Sequence, residues 1–155
     1  MSFYADSNGT KIYYQVRGEG EPLVLLMGFG GDGNLWEKHV AEYEKHFKCI
    51  LIDNRGVGRS DQPKGPYSTW MMAADTIAVM DHAGVVNARV AGISMGGAIA
   101  QELALNYPER VRCLALISTW PKFNHYAKTV YENLKKLRVT SKPDEFMELL
   151  QLWIF

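Results

Sequence analysis

Short apolar runs of strand length alternate along this chain with segments whose apolar residues recur every three or four positions. "KIYYQV" (11–16), set off by the turn residues "SNGT", reads as a strand. "LVLLM" (23–27), "KCILI" (48–52), "ARVAGI" (88–93) and "VRCLALIS" (111–118) are continuous apolar runs, the pattern of strands covered on both faces. Between them, 34–47 carries Trp36, Val40, Tyr43 and Phe47 on one helical stripe, with Asn34 and Glu37 at capping-box spacing. Segments 69–84 and 95–107 also predict helices, ended by Gly84 and Pro108. After "TWP" only helical patterns follow, over 122–138 and 143–155.

Strands alternating with helices predict an α/β fold with a mostly parallel, doubly wound sheet. Ligands of such sheets bind beyond the carboxyl ends of the strands. The informative loops are therefore those after residues 27, 52, 93 and 118.

Two of these loops carry glycine motifs. "GFGGDG" (28–33) spells G-x-G-x-x-G after a strand, and Asp53 follows twenty residues past the last glycine. That is the outline of a dinucleotide-binding turn. Against it, the capping signal falls at Asn34, after all the glycines, so a pyrophosphate would meet a loop and not a helix end. "GISMG" (92–96) spells G-x-S-x-G, with a strand stopping at Ser94 and a helix starting just after it. A serine held in so tight a turn needs small residues two places before and two after, and Gly92 and Gly96 meet that need. Ser94 is the candidate nucleophile, and the Met95 amide is one candidate oxyanion donor. "GVGRS" (56–60) lacks the Gly-Lys-Ser/Thr ending of a phosphate loop and reads as a structural turn.

With "LLMGFGG", "LIDNRGVGRSDQP", "GISMGGAIAQELALNYPERV" and "LALIST" in this order, residues 23 to about 118 resemble the N-terminal half of an α/β-hydrolase, near its esterase, enol-lactonase and cofactor-free haloperoxidase branch. The resemblance implies a serine hydrolase of small esters or lactones that needs no cofactor and no metal. It makes the Phe29 amide the second oxyanion donor, supported by Gly28, Gly30 and Gly97, and it gives Asp53 and Arg55 a loop-fixing role. The family has His where this chain has Met27. It also places the acid and the histidine base on strands after a helical cap. Residues 1–120 are then the N-terminal part of the core and 121–155 the start of a cap. Its aromatics would be Trp120, Phe123, Tyr126, Tyr131, Phe146, Trp153 and Phe155. The expectation is a sheet lacking its C-terminal strands, in a fragment without acid or base.

His39 and His46 lie on the charged segment 34–47, His82 at a helix end, and only His125 follows the serine. Solvated or capping roles suit the first three. Ser118 and Thr119 stand where related enzymes sometimes carry an acid.

Seventeen basic residues balance seventeen acidic ones, which argues against nucleic acid as a partner. No apolar run is long enough to span a membrane, and no secretion signal is visible. Cys49 and Cys113 read as buried free thiols of a cytoplasmic protein. An open sheet edge would favour self-association or complementation by a C-terminal piece. Two other functions stay open: a non-catalytic binding or scaffold protein of the same fold, and an NAD-binding oxidoreductase.

Overall fold

A computed structural model describes residues 1–122 and 124–154, with 138, 143, 147 and 151–154 as backbone only. The chain divides into two compact units, Met1–Trp120 and the residues from Pro121 on.

The first unit is built on six strands: β1 (Ser2–Ser7), β2 (Thr10–Arg17), β3 (Glu21–Leu26), β4 (Phe47–Ile52), β5 (Ala88–Ile93) and β6 (Val111–Ile117). They lie in the order β1-β2-β4-β3-β5-β6. β4, β3, β5 and β6 are parallel; β2 runs antiparallel beside β4, and β1 antiparallel beside β2. This is the α/β sheet that the alternation predicts.

The pleat sends successive side chains to opposite faces. Val24, Leu26, Ile50, Ile52 and Val90 meet α2 (Thr69–His82) and α3 (Met95–Asn106) on one face. Leu25, Cys49, Leu51 and Ala91 meet Trp36 and Val40 on the other. Both faces of the central strands are thereby dry, which is why their sequences are apolar without alternation.

Four expectations change. A strand, β1, precedes residue 11 and joins β2 through Asn8 and Gly9, both in the left-handed region. Two positive φ values are what a two-residue hairpin needs to match strand twist. The segment 34–47 is not one helix. A 3₁₀ turn, Gly33–Trp36, leads into α1 (Glu37–Tyr43), and Phe47 opens β4. The cap is Asp32, whose carboxylate accepts the Asn34 N–H, and not Asn34. Finally, β6 is not a buried strand but the edge of the sheet. Its Leu116 and Ile117 are exposed, and so is Cys113, which the apolar run around it had placed inside. Cys49 is buried, and burial pushes its thiol up to about 11.

In the second unit, α4 (His125–Thr140) is capped by the Asn124 side chain on the Ala127 N–H and is followed by α5 (Pro143–Ile154). Leu134 and Phe146 are its buried side chains among the described residues. Of the expected cap aromatics, Phe123 and Phe155 lie outside the described residues, as does the side chain of Trp153. No helix of the described residues is long and apolar enough to cross a membrane.

Candidate active site

The parallel strands all deliver their C-terminal ends to one rim of the sheet. There, β5 ends at Ile93 and α3 begins at Met95, which leaves Ser94 alone to turn the chain. Ser94 takes φ 54° and ψ −120°. A non-glycine residue in this region stores strain, on the order of 1–3 kcal/mol. The surroundings hold it there. Its N–H donates to the Ile117 carbonyl of β6 at 2.9 Å. Its carbonyl accepts from the Gly97 and Ala98 amides and, at 2.7 Å, from the Thr119 hydroxyl.

The glycines around Ser94 are explained by close approach. A Cβ on Gly92 would run into the Gly96 carbonyl, and a Cβ on Gly96 into the Leu26 carbonyl. A Cβ on Gly97 would sit 2.5 Å from the Thr119 Cβ. β5 and α3 therefore pack backbone to backbone, as a strand-to-helix turn this sharp demands.

β3 is the neighbour of β5, with Leu26 opposite Gly92. That pairing carries "GFGGDG" directly to the serine. A Cβ on Gly28 would lie 3.2 Å from the Ser94 Cβ and 3.7 Å from its Oγ. The loop turns through Gly28–Gly31, with the Gly31 N–H donating to the Gly28 carbonyl at 3.2 Å. Gly30 has φ 72° with open space around it, so its backbone angle and not crowding calls for glycine there. The Phe29 side chain at the corner of this turn is exposed. The serine hydroxyl makes no hydrogen bond among the described residues. The Phe29 and Met95 amides likewise donate to no acceptor among them.

Asp53 is completely buried. One carboxylate oxygen accepts the Gly33 N–H at 2.8 Å and the other the Arg59 N–H at 3.0 Å. Its main chain is tied to β2: its N–H donates to the Tyr13 carbonyl, and its carbonyl accepts the Ser60 hydroxyl. Beside it, the Asn54 side-chain amide donates to the Met27 carbonyl at 3.3 Å. Arg55 turns away and makes a buried, two-point ion pair with Asp75 of α2, both contacts at 2.6 Å. That hydrogen-bonded partner raises the Arg55 pKa.

These contacts also revise the comparison with a dinucleotide turn. The helical element does start within the glycine motif, at Gly33. However, the Asp53 carboxylate takes the Gly33 N–H and the Asp32 carboxylate takes the Asn34 N–H. Two carboxylates thus occupy the place where a pyrophosphate would need free donors.

No described contact joins a histidine of the first unit to Ser94. His39 packs edge-on against Trp36, and His46 lies in the turn before β4. His82 Nδ1 is 2.8 Å from the Tyr14 hydroxyl, a pairing in place of the solvated or capping role expected of it. His125 opens α4 of the second unit. Among the described residues no cluster of His, Cys, Asp or Glu fits a metal ion.

A sequence model of the α/β-hydrolase fold matches residues 21–146. The chain belongs to the α/β-hydrolase fold family. A RutD protein of Azorhizobium caulinodans, provisionally named a carbamate hydrolase, is 35% identical over 98% of this chain and 57% of its own length. Est816, described as an N-acyl homoserine lactone degrading enzyme, superposes with a TM-score of 0.76 at 35% identity, over 84% of this chain and 52% of that one. The enol-lactonase of Burkholderia xenovorans LB400 gives a TM-score of 0.72 at 36% identity, over 75% of this chain and 46% of that one. The chain spans about half the length of the curated relatives it matches.

Proposed function

We propose that this α/β-hydrolase chain carries the nucleophile half of a serine hydrolase for small carboxylic esters or lactones. Ser94 Oγ attacks the acyl carbon, and its proton passes to a base. The carbonyl oxygen, now negative, is received by the Phe29 and Met95 amides. Collapse expels the alcohol, and water then releases the acid from the serine. A lactone follows the same course, its alcohol remaining attached to the acid. The carrying observation is Ser94 itself, held at φ 54° between a strand and a helix with Gly28 against its side chain. Two relatives with lactone chemistry in their names support the substrate class, since lactone and ester opening share this tetrahedral step.

The acid and base are assigned to the part of the relatives' length that this chain does not span. On this reading the 155-residue chain alone turns over little or nothing, because a serine hydroxyl without a base is a poor nucleophile. Two free thiols fit a reducing, cytoplasmic setting, and balanced charge fits a small-molecule partner better than nucleic acid. The exposed β6 edge is assigned to self-association or to a complementing C-terminal piece.

The test begins with the coding sequence beyond Phe155. An acid followed by a histidine is expected there. The protein made from it should open p-nitrophenyl acetate and small lactones, with kcat/KM falling at least about 10³-fold in Ser94→Ala. Steady hydrolysis by residues 1–155 alone, lost in Ser94→Ala, would overturn the missing-base assignment.

A second reading is a non-catalytic binding protein of the same fold. It is favoured by Met27, where the family has His, and by a Ser94 hydroxyl without a hydrogen-bonding base among the described residues. It predicts no acid–histidine pair in the longer sequence and no hydrolysis by its product.

A further inference from the structure

We propose that Asp53 and Asn54 act as a two-point clamp that positions the Phe29 amide. The proposal rests on the acyl-transfer reading only for the use it gives that amide. β3 and β4 pair in parallel as far as Leu26 opposite Ile52. The next residues of each strand therefore leave the sheet side by side. The Asn54 side-chain amide donates to the Met27 carbonyl, at the start of the glycine loop. The Asp53 carboxylate takes the Gly33 N–H, at its end. Phe29 lies between these points, with one turn hydrogen bond inside the loop, from Gly31 to Gly28.

The clamp is itself fixed. Asp53 is bonded through its main chain to Tyr13 of β2 and to the Ser60 hydroxyl, which in turn accepts the Tyr13 N–H. Asp53 and Asn54 are both buried; the Asp53–Gly33 contact is shielded from bulk water and the Asn54–Met27 contact partly so. Gly33 and Gly58 fit closely around the Asp53 carboxylate; a Cβ on either would crowd it. An oxyanion donor acts through its placement before the reaction begins, and a glycine-rich loop does not hold a placement unaided. Met27 cannot offer the polar side-chain anchor that a histidine would, and the clamp holds the loop through its main chain instead.

Asn54 is thus a positioning residue, and its effect is readable on the 155-residue chain without turnover. Asn54→Ala is expected to speed amide hydrogen exchange at residues 28–33 by about tenfold, the effect of losing one ordinary hydrogen bond. Exchange in β5 should stay near the parent value, and the thermal midpoint should fall by only about 2–4 °C, the cost of one ordinary hydrogen bond. Asn54→Asp, equal in size but without the donor, should show the same local change and serves if the alanine variant folds poorly. In the longer protein that carries the expected base, phosphonylation of Ser94 by a fluorophosphonate probe should slow in both variants. Unchanged exchange at 28–33, or an equal rise across the whole sheet, overturns the clamp. If the longer, base-bearing protein is not labelled at Ser94 at all, the nucleophile reading is what falls, and the exchange result on the 155-residue chain still decides the clamp.

Discussion

The amide of Gly33 donates to the carboxylate of Asp53 at 2.8 Å, joining the last glycine of one loop to the first residue of the next. The same twenty-residue separation that outlines a dinucleotide turn is here closed by a hydrogen bond within the protein. Asp53→Ala would leave the Gly33 and Arg59 amides without their acceptor, and Asp53→Asn would keep one acceptor oxygen. We expect the alanine variant to lose about 2–4 kcal/mol of stability, two unpaired donors' worth, and the asparagine variant less. Chemical denaturation of both checks the order. NADH fluorescence should not change on titration with the parent chain.

Gly30 and Gly96 are glycine for different reasons, and alanine separates them. Gly30→Ala meets no atom and carries only the left-handed φ of 72°, so it should cost about 1 kcal/mol. Gly96→Ala drives a methyl into the Leu26 carbonyl and must move α3 or β3. It should cost more than about 2 kcal/mol, as overpacking against backbone does. Equal midpoints for the two variants in urea would contradict this account.

The Arg55–Asp75 pair ties the loop after β4 to α2 with both partners buried. Arg55→Ala leaves a buried carboxylate uncompensated and should cost about 3–5 kcal/mol. Replacing both residues, as Arg55→Met with Asp75→Leu, should recover most of that loss. Thermal unfolding of the single and double variants measures the coupling.

The two cysteines should report their surroundings. Cys113, exposed, is expected to react with a disulfide reagent at pH 8 in the folded chain, and Cys49 only on unfolding. Burial raises the Cys49 thiol from 9.0 to about 11, so the folded state holds that proton more tightly than the unfolded one. Its contribution to stability is therefore present below pH 9.0 and lost as pH rises towards 11. Cys49→Ser should flatten that part of the stability profile, measured by denaturation across the same pH range.

An apolar strand at the edge of a sheet offers unpaired backbone groups to any other strand. β6 has Leu116 and Ile117 exposed there. The 155-residue chain should associate with rising concentration, and Leu116→Lys should shift it towards monomer in sedimentation velocity. A parent chain that stays monomeric at high concentration would contradict the expectation.

The central sheet was legible because four apolar runs buried on both faces leave few alternatives. β1 was missed although Asn8-Gly9 between two short runs is a hairpin signal. The exposure of β6 was hidden, because an apolar run reports what a strand is suited to and not whether a neighbour covers it. The closeness of Gly28 to Ser94 follows from β3 and β5 being neighbours, which the motifs alone do not state. The contacts made by Thr119, Asn54 and the Tyr14–His82 pair are announced by no motif, although Thr119 and Asn54 lie inside stretches that resemble the family. These residues meet their partners across strands or between strand and helix, at separations of 25, 27 and 68 residues.

Among the described residues, the groups that hold the chain at Ser94 are its neighbouring glycines, the Ala98 amide, the Leu26 and Ile117 carbonyls and Thr119. All of them have been synthesised once Thr119 has emerged from the ribosome. Because chains fold from the N-terminal side as they are made, the serine can be set in its strained posture early. On the proposed reading, the rest of a longer hydrolase would then have only to dock a base against a finished surface, and errors in its later folding would leave the elbow intact.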